Sequence, residues 1–80
     1  MSASSTRLRN RLKVARAELD LSQDQLARKV GVSRQTISSI ETGQYCPSTL
    51  LALVISRTVG KRFEDLFWLE GEDDASATRS

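Results

Sequence analysis

Ser22, Gly31 and Ser33 leave the middle of this chain little freedom. Ser22 opens the run Ser22-Gln23-Asp24-Gln25, and Ser-x-x-Gln is a capping box. The Ser22 hydroxyl can accept the backbone N–H of Gln25 while the Gln25 side chain returns to the Ser22 N–H. Asp24 in the first turn complements the helix dipole. Leu26, Ala27 and Val30 then form an inward stripe, and Gly31 supplies the left-handed backbone that a helix C-terminus needs. Two residues later Ser33 is the next N-cap, opening a helix over Arg34–Glu41 in which Ile37 and Ile40 point one way and Gln35, Ser38 and Ser39 another. Helices joined by so short a turn must cross steeply.

That crossing is the helix-turn-helix geometry, and the flanking sequence adds further helices. Leu8, Leu12, Ala15 and Leu19 recur at i, i+4, i+7 and i+11, which predicts a helix over 7–19. Gly43 ends the third helix and residues 42–48 form a loop. Pro47 stops helix continuation, Ser48 caps a fourth helix over about 49–59, and Gly60 closes it. A short fifth helix or turn is expected over 63–66, with Phe63 and Leu66 inward. No internal repeat and no strand-length alternation stand out. The expected fold class is all-α, a compact five-helix bundle. Residues 1–6 read as a disordered arm, 7–69 as the folded domain and 70–80 as an acidic flexible tail with no apolar anchor.

Composition narrows the function classes. Eighty residues make one domain with a modest core. Cys46 is the only cysteine and histidine is absent, so no internal disulfide or closed zinc site can form, and Cys46 reads as an ordinary loop residue. No apolar run approaches the roughly 20 residues a bilayer span needs. The Ser- and Arg-rich start has no secretory core. It shares its composition with a mitochondrial transit peptide, yet continues smoothly into a core helix, so a cytoplasmic protein is expected. No nucleophile–base pair is evident and Asp73 and Asp74 sit in the tail, which argues against an enzyme. No cofactor, metal or small-molecule ligand is expected. Charge is divided: residues 1–62 hold eleven Lys and Arg against four acids, a balance of +7, whereas 63–80 hold Arg79 against six acids, a balance of −5. A basic body favours a polyanionic partner.

From Leu19 to Gly43 the chain reads Leu19-x-Leu21-Ser22-Gln23-x-Gln25-Leu26-Ala27-x-x-Val30-Gly31-Val32-Ser33-x-x-Thr36-Ile37-Ser38-x-Ile40-Glu41-x-Gly43. This string resembles the phage repressor and Cro type (XRE-like) of helix-turn-helix protein. Tyr45-x-Pro47-Ser48 and Phe63-Glu64-Asp65-Leu66-Phe67 resemble its short bacterial members, so the likeness covers about residues 7–69. It implies a lambda-repressor-like fold and a sequence-specific transcriptional regulator with double-stranded DNA as partner; with no room for a ligand or catalytic domain, a repressor that acts by occupying a promoter is expected. The residues support this separately. Arg34, Gln35, Ser38, Ser39 and Thr42 form the outward side of the third helix, and a merely solvated helix would be better built from Glu and Lys. Arg34 can bond guanine O6 and N7, or else a phosphate. Gln35 can bond adenine N6 and N7, and Ser38 and Ser39 can reach either base or leave room for a thymine methyl. Phosphate contacts are expected from Gln23, whose family counterpart makes one, from Gln44 and Tyr45 in the following loop, and from Thr36, Thr42 and Arg28. Arg7, Arg9 and Arg11 read as long-range attractors or solvated charges. The resemblance also implies a partly buried ion pair between Arg16 and Glu41.

One segment departs from the family pattern. Where short members have Pro-Ser-Leu-Glu-Leu-Ala-Leu-Lys-Ile, this chain has Pro47-Ser48-Thr49-Leu50-Leu51-Ala52-Leu53-Val54-Ile55. Leu50 and Val54 replace Glu and Lys, and Thr49 replaces a core leucine. Either the helix rotates to bury Leu50, or an apolar patch is exposed, as partner surfaces are. The second reading makes Leu50, Leu53, Val54, Phe67, Trp68 and Leu69 a homodimer interface, which would let two recognition helices read a palindrome. The same patch suits an alternative: an interaction module, or an antitoxin-like autoregulator, that binds a partner protein.

Overall fold

The computed structural model describes residues 7–70. The arm over 1–6 and the tail beyond Glu70 lie outside the described residues. Five helices, α1 (Leu12–Glu18), α2 (Gln23–Val30), α3 (Arg34–Thr42), α4 (Thr49–Thr58) and α5 (Phe63–Leu66), are joined by two short strands, β1 (Leu8–Asn10) and β2 (Phe67–Leu69). The five-helix expectation holds, with a small sheet added to it.

That sheet corrects the reading of 7–19 as one helix and of the chain as free of strands. β1 pairs antiparallel with β2 in the register Leu8↔Leu69, Arg9↔Trp68 and Asn10↔Phe67. Asn10 sets the break: its carboxamide oxygen accepts the Leu12 N–H at 3.0 Å, serving the first turn of α1. Upstream backbone groups pair across the chain instead, with Arg11 N–H on the Leu66 carbonyl at 2.9 Å and Glu70 N–H on the Arg7 carbonyl at 2.7 Å. Leu8 and Asn10 turn inward while Arg9 is exposed. The Arg11 guanidinium lies 5.4 Å from the Trp68 ring centroid, closing the sheet with a cation–π contact.

Leu19 is also corrected, being 48% exposed. α1 stops at Glu18 and the chain reverses through Asp20, which adopts a left-handed φ of 56°. The N–H of Asp20 bonds the Ala17 carbonyl at 3.0 Å and that of Leu21 bonds the Arg16 carbonyl at 3.0 Å, the pattern of a Schellman cap. Leu21 packs on the core in place of Leu19.

The helix starts follow the expected chemistry. Both arms of the Ser22–Gln25 capping box form, at 3.0 and 2.8 Å. Ser33 accepts the Thr36 N–H and Ser48 the Leu51 N–H, each at 3.1 Å. Gly31 and Gly43 end α2 and α3, both at φ 83°. α5 has no side-chain cap. Glu64 brings negative charge to its first turn, its carboxyl held below the usual range by its own backbone N–H and by Arg62.

The core gathers Leu12, Ala15, Leu26, Ala27, Ile37, Ile40, Ala52, Ile55, Val59, Leu66 and Phe67, with Leu8, Leu21, Val30, Val32 and Leu51 packed on it. Ala27 is small and fully covered, as a steep α2–α3 crossing demands. Phe63 is not a core residue: it is 37% exposed and stacks on Phe67 with ring centroids 5.4 Å apart. No buried side-chain N or O among the described residues lacks a partner.

Candidate nucleic-acid interface

α3 buries Ile37 and Ile40 and holds its opposite side to solvent. Arg34, Gln35 and Thr42 are exposed, and Thr36, Ser38 and Ser39 are half-buried. Short side chains flanked by two longer ones make a surface that a duplex can approach closely. Thr36 and Thr42 are engaged within the protein. The Thr36 hydroxyl is 2.9 Å from the Ser33 hydroxyl, and that of Thr42 donates to the Ser39 carbonyl at 3.2 Å. Gln44 and Tyr45 are exposed just past the helix, where their backbone N–H groups bond the Ser39 carbonyl. Gln35, Thr36, Ser39 and Tyr45 share a shallow cleft of about 490 Å³ with Val32 and Leu51.

The helix is anchored from behind by a charge network. Arg16 Nε donates to Glu41 Oε2 at 2.8 Å and Nη2 reaches Oε1 at 3.3 Å. The same guanidinium donates through Nη1 to the Leu21 carbonyl at 2.8 Å. The pair is largely enclosed, the side chains being 15% and 6% exposed. Gln23 completes it, its Nε2 donating to Glu41 Oε1 at 3.1 Å. One residue of α1 and one of α2 therefore fix one carboxylate of α3. Asn10 adds a tie from β1, its Nδ2 donating to the Ile40 carbonyl at 2.9 Å.

Sequence reasoning missed Asn10 as a positioning residue and did not see Gln23 as a partner of Glu41. The available signal for Asn10 was a lone carboxamide just ahead of a helix, which is cap chemistry. For Gln23 there was none, because a contact between α2 and the end of α3 needs the fold. Arg28 lies on the exposed side of α2, paired with Asp24 at 3.0 Å.

The apolar segment is split by the structure. Leu50 is 73% exposed, and Leu53, Val54 and Leu69 also face solvent. The helix has not rotated to hide Leu50, since Ala52, Ile55 and Ser56 occupy the inner side of α4. Trp68 is half-buried beneath Arg11. Phe67 must be removed from the proposed interface: at 2% exposure it belongs to the protein's own core, where β2 turns it under α5.

Comparison with known proteins settles the family. The helix-turn-helix family model matches residues 12–66. The chain belongs to the helix-turn-helix family. It is 47% identical over 66 residues to the uncharacterized HTH-type transcriptional regulator YgzD of Bacillus subtilis, covering 82% of this chain and 100% of that one. The same identity and coverage link it to the uncharacterized HTH-type transcriptional regulator MJ0272 of Methanocaldococcus jannaschii. Among solved structures it resembles the restriction-modification controller protein C.AhdI from Aeromonas hydrophila, with TM-score 0.63 and 26% identity over 68% of this chain and 78% of that one. This helix-turn-helix protein thus stands among DNA-binding regulators and not among enzymes. No described helix is long and apolar enough to cross a membrane.

Proposed function

We propose that this protein is a sequence-specific transcriptional repressor that binds a palindromic operator as a homodimer, laying α3 in the major groove. One observation carries the reading. Among the described residues, the side chains of Arg34, Gln35 and Ser38 make no hydrogen bond or ion pair within the protein, while the opposite face of their helix is locked to three other elements. A rigid helix with an unspent polar face suits direct base readout, where each good bidentate contact contributes roughly 1–3 kcal/mol of discrimination. Arg34 and Gln35 are the candidate base-reading side chains, with Ser38 and Ser39 beside them. Gln23, Thr36, Thr42, Gln44, Tyr45 and Arg28 are the candidate phosphate contacts. The second amide hydrogen of Gln23 remains for this while its first holds Glu41.

A dimer fits the reading because one recognition helix spans only a few base pairs, and two about 34 Å apart read two half-sites. The exposed Leu50, Leu53 and Val54, with Leu69 and the edge of Trp68, supply the apolar surface for it. A regulator of this kind acts on the chromosome, in the cytoplasm, by occupying a promoter. The exposed leucines also favour a second reading, in which the patch seats a different protein, such as the toxin of an autoregulated pair.

Selection of bound DNA from a random pool tests the proposal. A palindromic motif with half-sites about one helical turn apart is expected. Gln35→Ala should then relax one base position in each half-site, and Gln23→Ala should weaken all sites alike. A pool that yields no motif, with binding absent at every salt concentration, would overturn it.

A further inference from the structure

The two charge balances in the sequence meet at one place in the fold. β1 brings Arg7 and Arg9 to the C-terminal edge of α3, where they line a polar cleft of about 290 Å³ together with Glu41, Thr42, Gly43 and Glu70. Arg7 also borders a second cleft with Gly43 and Tyr45. The basic strand therefore continues the row Thr42, Gln44 and Tyr45, on the side where a bound duplex would present phosphates. β2 runs antiparallel to β1 and delivers the start of the acidic segment to the same spot. Glu70 is hydrogen-bonded through its N–H to Arg7, and its carboxylate lies 3.8 Å from Arg9 Nη1. Glu72, Asp73 and Asp74 follow directly in the sequence.

We infer that the acidic segment beginning at Glu70 is an internal competitor for DNA, occupying Arg7 and Arg9 until duplex phosphates displace it. The inference rests on the DNA-reading role of α3 proposed above. Charge complementarity and the point of departure of the segment both favour this occupant. Arg9 already holds the first acid, and the next three follow within four residues of Glu70 in the sequence. Both side chains of the existing pair are about half exposed, so the contact is weak and salt-sensitive, which an exchangeable occupant requires. Phosphate and carboxylate are alternative partners for the same guanidinium groups. The outcome is a filter: stray polyanions must displace the segment, whereas an operator gains base contacts that offset that cost.

The test compares the full chain with the variant Glu72→Gln/Asp73→Asn/Asp74→Asn, with and without Arg7→Gln/Arg9→Gln, on a random-sequence duplex across a salt series. Removing the three acids should tighten binding about three- to tenfold near 50 mM salt, with the gain shrinking toward 300 mM. In the Arg7→Gln/Arg9→Gln background the gain should fall below about twofold. An undiminished gain there would mean bulk charge alone is responsible and would overturn the inference. A second measurement needs no DNA. In the free protein, backbone amide NMR signals of Arg7–Asn10 and Thr42–Gly43 should move when the three acids are neutralised. Signals that stay put overturn the inference whatever happens with DNA. Signals that move while no variant binds DNA at any salt overturn the DNA reading, and the competition with it.

Discussion

Glu41 shows how a single side chain can matter more than its charge suggests. It accepts from Arg16 and Gln23 in a largely enclosed site, so Glu41→Ala leaves a guanidinium facing an empty carboxylate site. Breaking a buried pair from one side costs about 3–5 kcal/mol, and this partly hydrated one should cost about 3 kcal/mol. Glu18 also has a cationic partner, Lys61 at 3.1 Å, but both side chains are about half exposed. Glu18→Ala should therefore cost less than about 1 kcal/mol. Urea unfolding of the two variants decides it, with equal midpoints counting against the buried-pair account. Asp20 offers a second residue-scale check. A β-branched residue is strained at its left-handed φ of 56°, so Asp20→Val should lower stability by about 1–2 kcal/mol while Asp20→Gly stays close to neutral.

At the scale of elements, local signals were legible and distant pairings were not. The three serine caps and the glycine stops lie within a few residues of what they serve, so α2, α3 and α4 could be placed from sequence. The start of the chain misled because Leu8 fits a helical period with Leu12 and Ala15. A second pattern was present there: Arg7-Leu8-Arg9-Asn10-Arg11 alternates charged with uncharged residues, the period of a strand. What decided between them is β2, a partner almost sixty residues away in sequence that no local window contains. The outward face of α3 was readable because polar short side chains are poor choices for a solvated helix. The links holding that face in place, from Gln23 and Asn10, needed the tertiary fold. Asn10→Ala removes both the Leu12 cap and the tie to Ile40. It should destabilise the protein by about 1–2 kcal/mol and weaken operator binding beyond that loss, as measured by titration well below the melting temperature.

For the whole molecule, the proposed assembly turns on α4. Restoring the family pattern with Leu50→Glu/Val54→Lys touches no buried residue, since Leu50 is 73% and Val54 36% exposed. Folding should be preserved, the unfolding midpoint changing by less than about 1 kcal/mol in stability. Sedimentation at tens of micromolar should shift from dimer to monomer, and operator affinity should fall steeply because two linked half-site contacts become one. An unchanged sedimentation profile would place the dimer contact elsewhere.

The pairing of Arg7 with Glu70 brings the two ends of the folded body together at one edge, beside the C-terminus of α3. Fusion partners are therefore not neutral passengers here. A purification tag or reporter joined directly to Arg7 or to Glu70 would start at the same corner, and a strongly charged one would perturb affinity from either side alike. Labels for binding measurements are better carried outside this cleft, for instance at an engineered cysteine in place of exposed Ala17 of α1 after Cys46 has been replaced.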